Sequence, residues 1–368
     1  MAQQNTFNFT AKFEPFKENS KVQTLSFKPE TGYKKLNLKL NDGKSNQILS
    51  IGKSAPRNGE ITVQLKNEDG KYKYTKIKYE DRFNAEIVDN VNPFKKFVLD
   101  LGERKEFVFE LDYIEALYEA VTNGLLNDKV LFVSGDVERK VYKGKTYRSF
   151  LPRFVSYAKS ERMGFFGLQS FIFDKESLDD SMLKTEYKFE VNGWVETYSS
   201  EHKATLMIPE TFTFDFSNVK SEENEERANK IKAIAEYVKD KFKVRKGYYE
   251  YGFEVLYVNG SETTDIELKD LSKDLQIQIE LGLTTFEQAK RAMGLKTEYK
   301  TQTRLVRPDN KNYLDGVLVR DELEEEDFII RDVVEVKSVS EIQKEVVKEI
   351  ETPTVKEETL DDLFDSLI

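Results

Sequence analysis

Apolar and polar positions alternate with period two along most of this chain. KKLNLKL (34–40), NQILSIGK (46–53), ITVQLKN (61–67) and YKYTKIKY (72–79) are short alternating or β-branched runs separated by Asn-Asp-Gly, Arg-Asn-Gly and Glu-Asp-Gly turns. That spacing predicts a small antiparallel barrel or sandwich. EFVFELD (106–112) is expected to close the set and lead into a helix whose apolar stripe is Leu111, Ile114, Leu117, Tyr118 and Val121, with Gly124 past its end. Next, VLFVSGDVERKVYKGKTYRSFLPRFV (130–155) reads as a strand, a tight Lys143-Gly144 turn and a returning strand.

A second unit begins near Thr185. Tyr187, Phe189, Val191 and Val195 alternate with polar residues, which puts Trp194 and Tyr198 on the polar face of their strand. HKATLMIPETFTFDF (202–216) supplies further strand, and Glu225–Phe242 a helix with Ala228, Ile231, Ala235, Val238 and Phe242 inward. A hairpin of 248–258 and 263–271 and a helix over 271–294, with Thr284 and Glu287 as a capping box, complete it. The expected layout is an N-terminal arm (1–33), two β units (34–160 and 185–294), a connector (295–320) and a tail (321–368). The class is mainly β with a few helices. Strands, one helix and a closing hairpin, in that order and twice over, are the elements of tandem OB-fold-like barrels.

Charge changes the picture. The net charge of -10 argues against a nucleic-acid partner, but residues 321–368 hold 17 acids and 5 bases, which leaves 50 acids and 52 bases in the rest. The acidity belongs to a tail expected to be flexible, and the body is close to neutral. Within the body, cations and rings share strand faces. Tyr72, Tyr74, Lys76 and Lys78 share one. Arg139, Lys140, Lys143, Lys145, Arg148 and Arg153 are interleaved with Tyr142, Tyr147 and Phe150. Cations neutralise phosphates and rings stack on bases, so these residues are the candidate nucleic-acid site. For Trp194 and Tyr198 two readings stand: base stacking, or a ring covered by a neighbouring loop.

The chain has no cysteine and one histidine, His202. Thiol chemistry is thereby excluded, and histidine-based metal sites or triads have little to draw on. No GxxxxGK[ST] loop is present, no cofactor is expected, and no enzyme activity is predicted, although a two-metal nuclease using only Asp and Glu stays open. The start of the chain has no signal-peptide pattern and no apolar run is long enough for a membrane span, so a cytoplasmic protein is expected. The rival of another class is a structural or scaffold protein built on β-domains.

Residues 111–155 resemble the bacterial single-stranded DNA-binding proteins. The features are ALYEAVTNGLLNDKVLFVSGDVERKVYKGKTYRSF, with Gly135 as the strand glycine, Tyr142 before the turn, Gly144 in the turn, and Tyr147 and Arg148 on the return. The terminus DDLFDSLI is similar in kind to that family's acidic tail but departs from its ending, having no proline and closing on Ile368. The resemblance implies sequence-independent binding of single-stranded DNA in replication, recombination or repair. It also implies a tail (Asp361, Asp362, Leu363, Phe364, Asp365, Leu367, Ile368) that docks partner proteins and competes with DNA. The length, about twice that of a bacterial member, points to a phage-encoded protein working in the host cytoplasm.

Overall fold

Strict alternation builds the first barrel. In β1 (Asn5–Phe13) Phe7, Phe9, Ala11 and Phe13 are buried while Asn8 and Lys12 are exposed. The computed structural model describes residues 5–17, 20, 22–28, 31–142, 145–160, 162–199, 204–261, 273–281, 284, 299–309, 313–314, 317–318 and 321–323. After β1 come β2 (Leu25–Lys28), β3 (Tyr33–Asn41), β4 (Asn46–Lys53), and the ribbon of β5 (Glu60–Lys66) and β6 (Tyr72–Lys78). Then follow α1 (Ala85–Asn90), β7 (Phe97–Asp100), β8 (Arg104–Phe107), α2 (Glu110–Thr122), β9 (Val130–Tyr142) and β10 (Lys145–Tyr157). β1 pairs with β3, β3 with β4, β4 in parallel with β10, β10 with β9, and β9 with β1 again. That is a closed five-stranded barrel with its helix between the third and fourth barrel strands, the OB-fold architecture.

The same cycle recurs. Its elements are β11 (Gly164–Phe173), β12 (Leu178–Asp179), α3 (Leu183–Glu186), β13 (Lys188–Ser199), β14 (Ala204–Asp215), α4 (Glu225–Phe242), β15 (Tyr248–Ser261), α5 (Lys273–Glu280) and β16 (Tyr299–Pro308). β11 pairs with β13, β13 with β14, β14 in parallel with β16, β16 with β15, and β15 with β11. β17 (Tyr313–Leu314) and β18 (Val317–Leu318) form a small ribbon, and β19 (Asp321–Leu323) pairs with β15.

The two barrels are joined through their first strands. Asn5–Thr10 of β1 pairs antiparallel with Gly164–Gln169 of β11, so one sheet runs through both. The core is continuous across the junction: the Phe9 ring lies 4.8 Å from Phe150 and 5.0 Å from Phe165, and Phe150 lies 5.1 Å from Tyr257. Gly135 serves a close approach. A Cβ there would stand 1.9 Å from the Leu151 carbonyl oxygen, beside the bulge between Pro152 and Phe154.

Several elements differ from the pattern-based expectation. Residues 1–33, read as an arm, contain β1, because Phe7, Phe9 and Phe13 mark an inward face rather than scattered rings. β11 falls between the expected units: it is buried at most positions, so it shows no alternation. β16 lies in the stretch read as a connector, and it is the antiparallel partner of β15. The expected strand at 263–271 and the capping-box Glu287 lie outside the described residues. The strand expected over 106–112 stops at Phe107; Glu110 and Asp112 instead occupy the first turn of α2, where the helix dipole favours acids. On α2 the inward face uses Tyr113 and Ala120, and Tyr118 is exposed.

Candidate nucleic-acid interface

The β5–β6 ribbon stands apart from the main sheet on a small core of its own. Ile61, Val63 and Ile77 point inward onto Val91, Phe109 and Leu111. Period-two geometry therefore turns Tyr72, Tyr74, Lys76 and Lys78 outward, opposite Lys66, Gln64, Thr62 and Glu60. Tyr74 is 73% exposed. Lys76 and Lys78 face Glu60 and Glu80 at 3.6 and 3.4 Å, with all four side chains at least half exposed. Such pairs are worth little in water and leave the cations open to a phosphate.

A ring that sequence reading missed belongs to this face. The Gln64 carbonyl accepts from the Asn92 N–H at 2.8 Å, and Gln64 Oε1 accepts from Asn92 Nδ2 at 2.8 Å. Asn92 Oδ1 in turn accepts from Phe94 N at 3.1 Å, fixing the turn that carries Phe94 and Lys95. Phe94 is 86% exposed. Gln64 thus links its cross-strand neighbour Tyr74 to the Phe94 turn, and two strand spacings of ~4.8 Å set that scale. The sequence carried no distinguishing signal for it, because Val91, Phe97 and Val98 stand at i−3, i+3 and i+4 of Phe94 and let it pass for an ordinary core position. Between the ribbon and the first barrel lies a cleft of about 400 Å³ lined by Tyr74, Lys53, Lys95 and Arg153. Lys53 Nζ is 3.0 Å from Glu110 Oε1, and Arg153 pairs with Asp136 and lies 5.0 Å over the Phe97 ring.

The β9–β10 hairpin is placed differently. Arg139 pairs across β9–β10 with Arg148, and Val137 with Phe150, so these four share the inward face. Phe150 is buried among Phe7, Phe9 and Tyr257. The Arg139 side chain is 1% exposed; its Nε lies 2.6 Å from Glu210 Oε2 and its Nη2 donates to Gln169 Oε1 at 2.6 Å. Arg148 Nη1 donates to Thr303 Oγ1 at 2.6 Å and to Glu210 Oε1 at 3.2 Å. Burial alone would raise the Glu210 carboxyl, but the charges of Arg139 and Arg148 outweigh it and hold the group below its ordinary value. These two arginines and Phe150 therefore face the second barrel and the core. Two more hydrogen bonds tie the barrels, one in each direction: Gln47 Nε2 of the first donates to the Tyr257 carbonyl and Asn259 Nδ2 of the second to the Asn46 carbonyl, both at 3.2 Å.

Tyr147, on the other face of β10, is 51% exposed and borders, with the exposed Ile48, a cleft of about 600 Å³ between the barrels. β4 and β10 run parallel, and each reaches both clefts: Ile48 and Tyr147 at one, Lys53 and Arg153 at the other. Trp194 is half-buried against Ile172 and Met207, with Tyr248 at 6.4 Å and Leu323 of β19 packed nearby, so its ring is covered. Lys140, Tyr142, Lys145 and Tyr198 are described in backbone only. Lys143, His202 and the tail from 324 to 368 lie outside the described residues. Among the described residues no helix is long and apolar enough to cross a membrane, and no group of three or more acidic or histidine side chains could hold a metal.

No family model matches the chain, and no curated protein matches it. Among solved structures it is similar to the crystal structure of the wild-type single-stranded DNA binding protein from Thermus aquaticus, at 9% identity and a TM-score of 0.32, covering 84% of this chain and 93% of that one.

Proposed function

We propose that this chain binds single-stranded DNA without sequence preference and without chemistry, coating it in replication, recombination or repair. The carrying observation is the outward face of the β5–β6 ribbon, where Tyr72, Tyr74 and Phe94 stand in water among Lys66, Lys76, Lys78 and Lys95. Exposed rings held apart from any core do not stabilise a fold, and among cations they make a stacking platform for bases. The strand would continue along β4 and β10 from Arg153 and Lys53 towards Tyr147 and Ile48. β4 is the third barrel strand, and OB barrels use the face of the second and third strands, with the loop between the fourth and fifth, for oligonucleotides. Arg139, Arg148 and Phe150 also line the cleft at Tyr147 and Ile48, but their side chains are committed to Glu210, Gln169, Thr303 and the core, so their part is to hold the hairpin in place. The acidic tail, ending in Leu363, Phe364, Leu367 and Ile368, would dock partner proteins and compete for the same cations; removing residues 358–368 should then tighten DNA binding at low salt.

The test is a titration of labelled oligothymidine and of a matched duplex. Binding of the single strand that weakens with salt, by ~0.7 in log-log slope for each phosphate neutralised, is expected. No binding at micromolar protein in low salt would return the chain to the scaffold reading.

A further inference from the structure

The opposite side of the shared sheet carries a second aromatic and cationic surface. One row across it reads Phe154, Ser134, Asn8, Phe166, Leu256 and Arg304, set by the pairings of β10, β9, β1, β11, β15 and β16. All of these side chains point away from the two cores. Phe154 and Phe166 are only half-buried, and they stand three strand spacings apart, ~14 Å at ~4.8 Å each, with short polar side chains between them. Phe132 meets Phe154 edge to face at 6.0 Å. Together they floor a groove of about 680 Å³ walled by Lys159 and Arg162 on one side and by Arg307 with Glu254 on the other. The Arg162 guanidinium lies 5.5 Å over the Phe166 ring, and Arg307 pairs with Glu254 while staying mostly exposed.

A solvated sheet face would not collect three phenylalanines, and a groove for an apolar peptide would not set Asn8, Thr10 and Ser156 between the rings and three cations at the rim. Rings for π-faces, small hydrogen-bonding groups for base edges and cations for phosphates together fit a base joined to its phosphate. We propose that this groove is a second single-strand path, which takes the chain after it leaves the ribbon face and so lets one molecule hold DNA on both sides of its sheet. The inference rests on the single-strand reading above. It adds Phe132, Phe154, Phe166, Lys159, Arg162 and Arg307 to the residues that contact DNA.

Oligothymidine carrying 5-iodouracil, crosslinked to the full-length chain, should attach to Phe154 or Phe166 when long and to the ribbon alone when short. K159E together with R162E should lower the salt slope for long oligothymidine by ~1.4, two phosphates' worth, and leave short oligothymidine unaffected. F166A, an outward-facing change, should weaken long-oligonucleotide binding in the same selective way. An unchanged slope in the double variant, or no crosslink to Phe154 or Phe166 in a wild-type chain that binds long oligothymidine, would overturn the groove and leave the ribbon standing. A wild-type chain that binds no oligothymidine would overturn both. Thymidine monophosphate occupying the groove as tightly as the long strand would make it a nucleotide site, and a wild-type dimer that R162E splits on sedimentation would make it a self-contact; either result rejects the proposal.

Discussion

Two hairpins in this chain are alike in composition and opposite in placement. β5–β6 and β9–β10 both mix lysines or arginines with tyrosines, yet the first turns its rings and cations to solvent and the second turns two arginines and a phenylalanine into the molecule. The difference lies in what each hairpin packs on. β5–β6 sits on a small core of six buried side chains at the edge of the barrel and leaves a whole face open. β9–β10 closes the first barrel and leans on the second, so its inward face meets Glu210, Gln169 and Thr303. A basic, aromatic ribbon is therefore open to a ligand only where no second body covers it.

The largest effect should come from the buried hairpin. Glu210→Gln strands Arg139 and Arg148 without their counter-charge, and chemical denaturation should show a loss of about 3–5 kcal/mol. The same carboxylate gives stability a pH dependence. Its folded value is depressed from the ordinary 4.5, so its contribution is present above pH 4.5 and is lost as pH falls from there through the depressed value. Glu210→Gln should remove that component of acid unfolding, and an unaltered acid limb would place the carboxylate outside the ion pair. Next in size, Lys76→Ala with Lys78→Ala should reduce the salt slope of oligothymidine binding by ~1.4; an unchanged slope would detach the ribbon from the phosphates. Trp194, covered by Tyr248 and Leu323, should change its fluorescence little on saturation with DNA, and strong quenching would mean that β19 lifts away. Smallest of all, Tyr74→Ala and Phe94→Ala should shift folding stability by no more than ~0.5 kcal/mol each, since neither ring packs on a core.

Much of this was readable in the residues. Turn-bounded alternation located β3 to β6, and the order of strands, helix and hairpin anticipated the barrels. The inward direction of Arg139 was readable too, because it shares parity with Val137 and Val141 on β9. What could not be read was its partner, since Glu210 lies 71 residues away and meets it only when two barrels join. β11 escaped because a strand covered on both faces has no period, and β16 because a polar stretch hides the inward Thr303 and Leu305. Phe94 was overlooked for another reason: Val91, Phe97 and Val98 at helical spacing let it pass for a core ring, and only the fold turns it to solvent.

The most direct test of the central contrast is the affinity of oligothymidine at fixed low salt for the wild-type chain and for the Tyr74→Ala/Phe94→Ala double variant. Each stacked base contributes ~1–3 kcal/mol, so binding should weaken by at least about tenfold while the variant stays as stable as the wild type. Equal affinity in a folded double variant would contradict the account and move the binding surface away from the exposed ribbon.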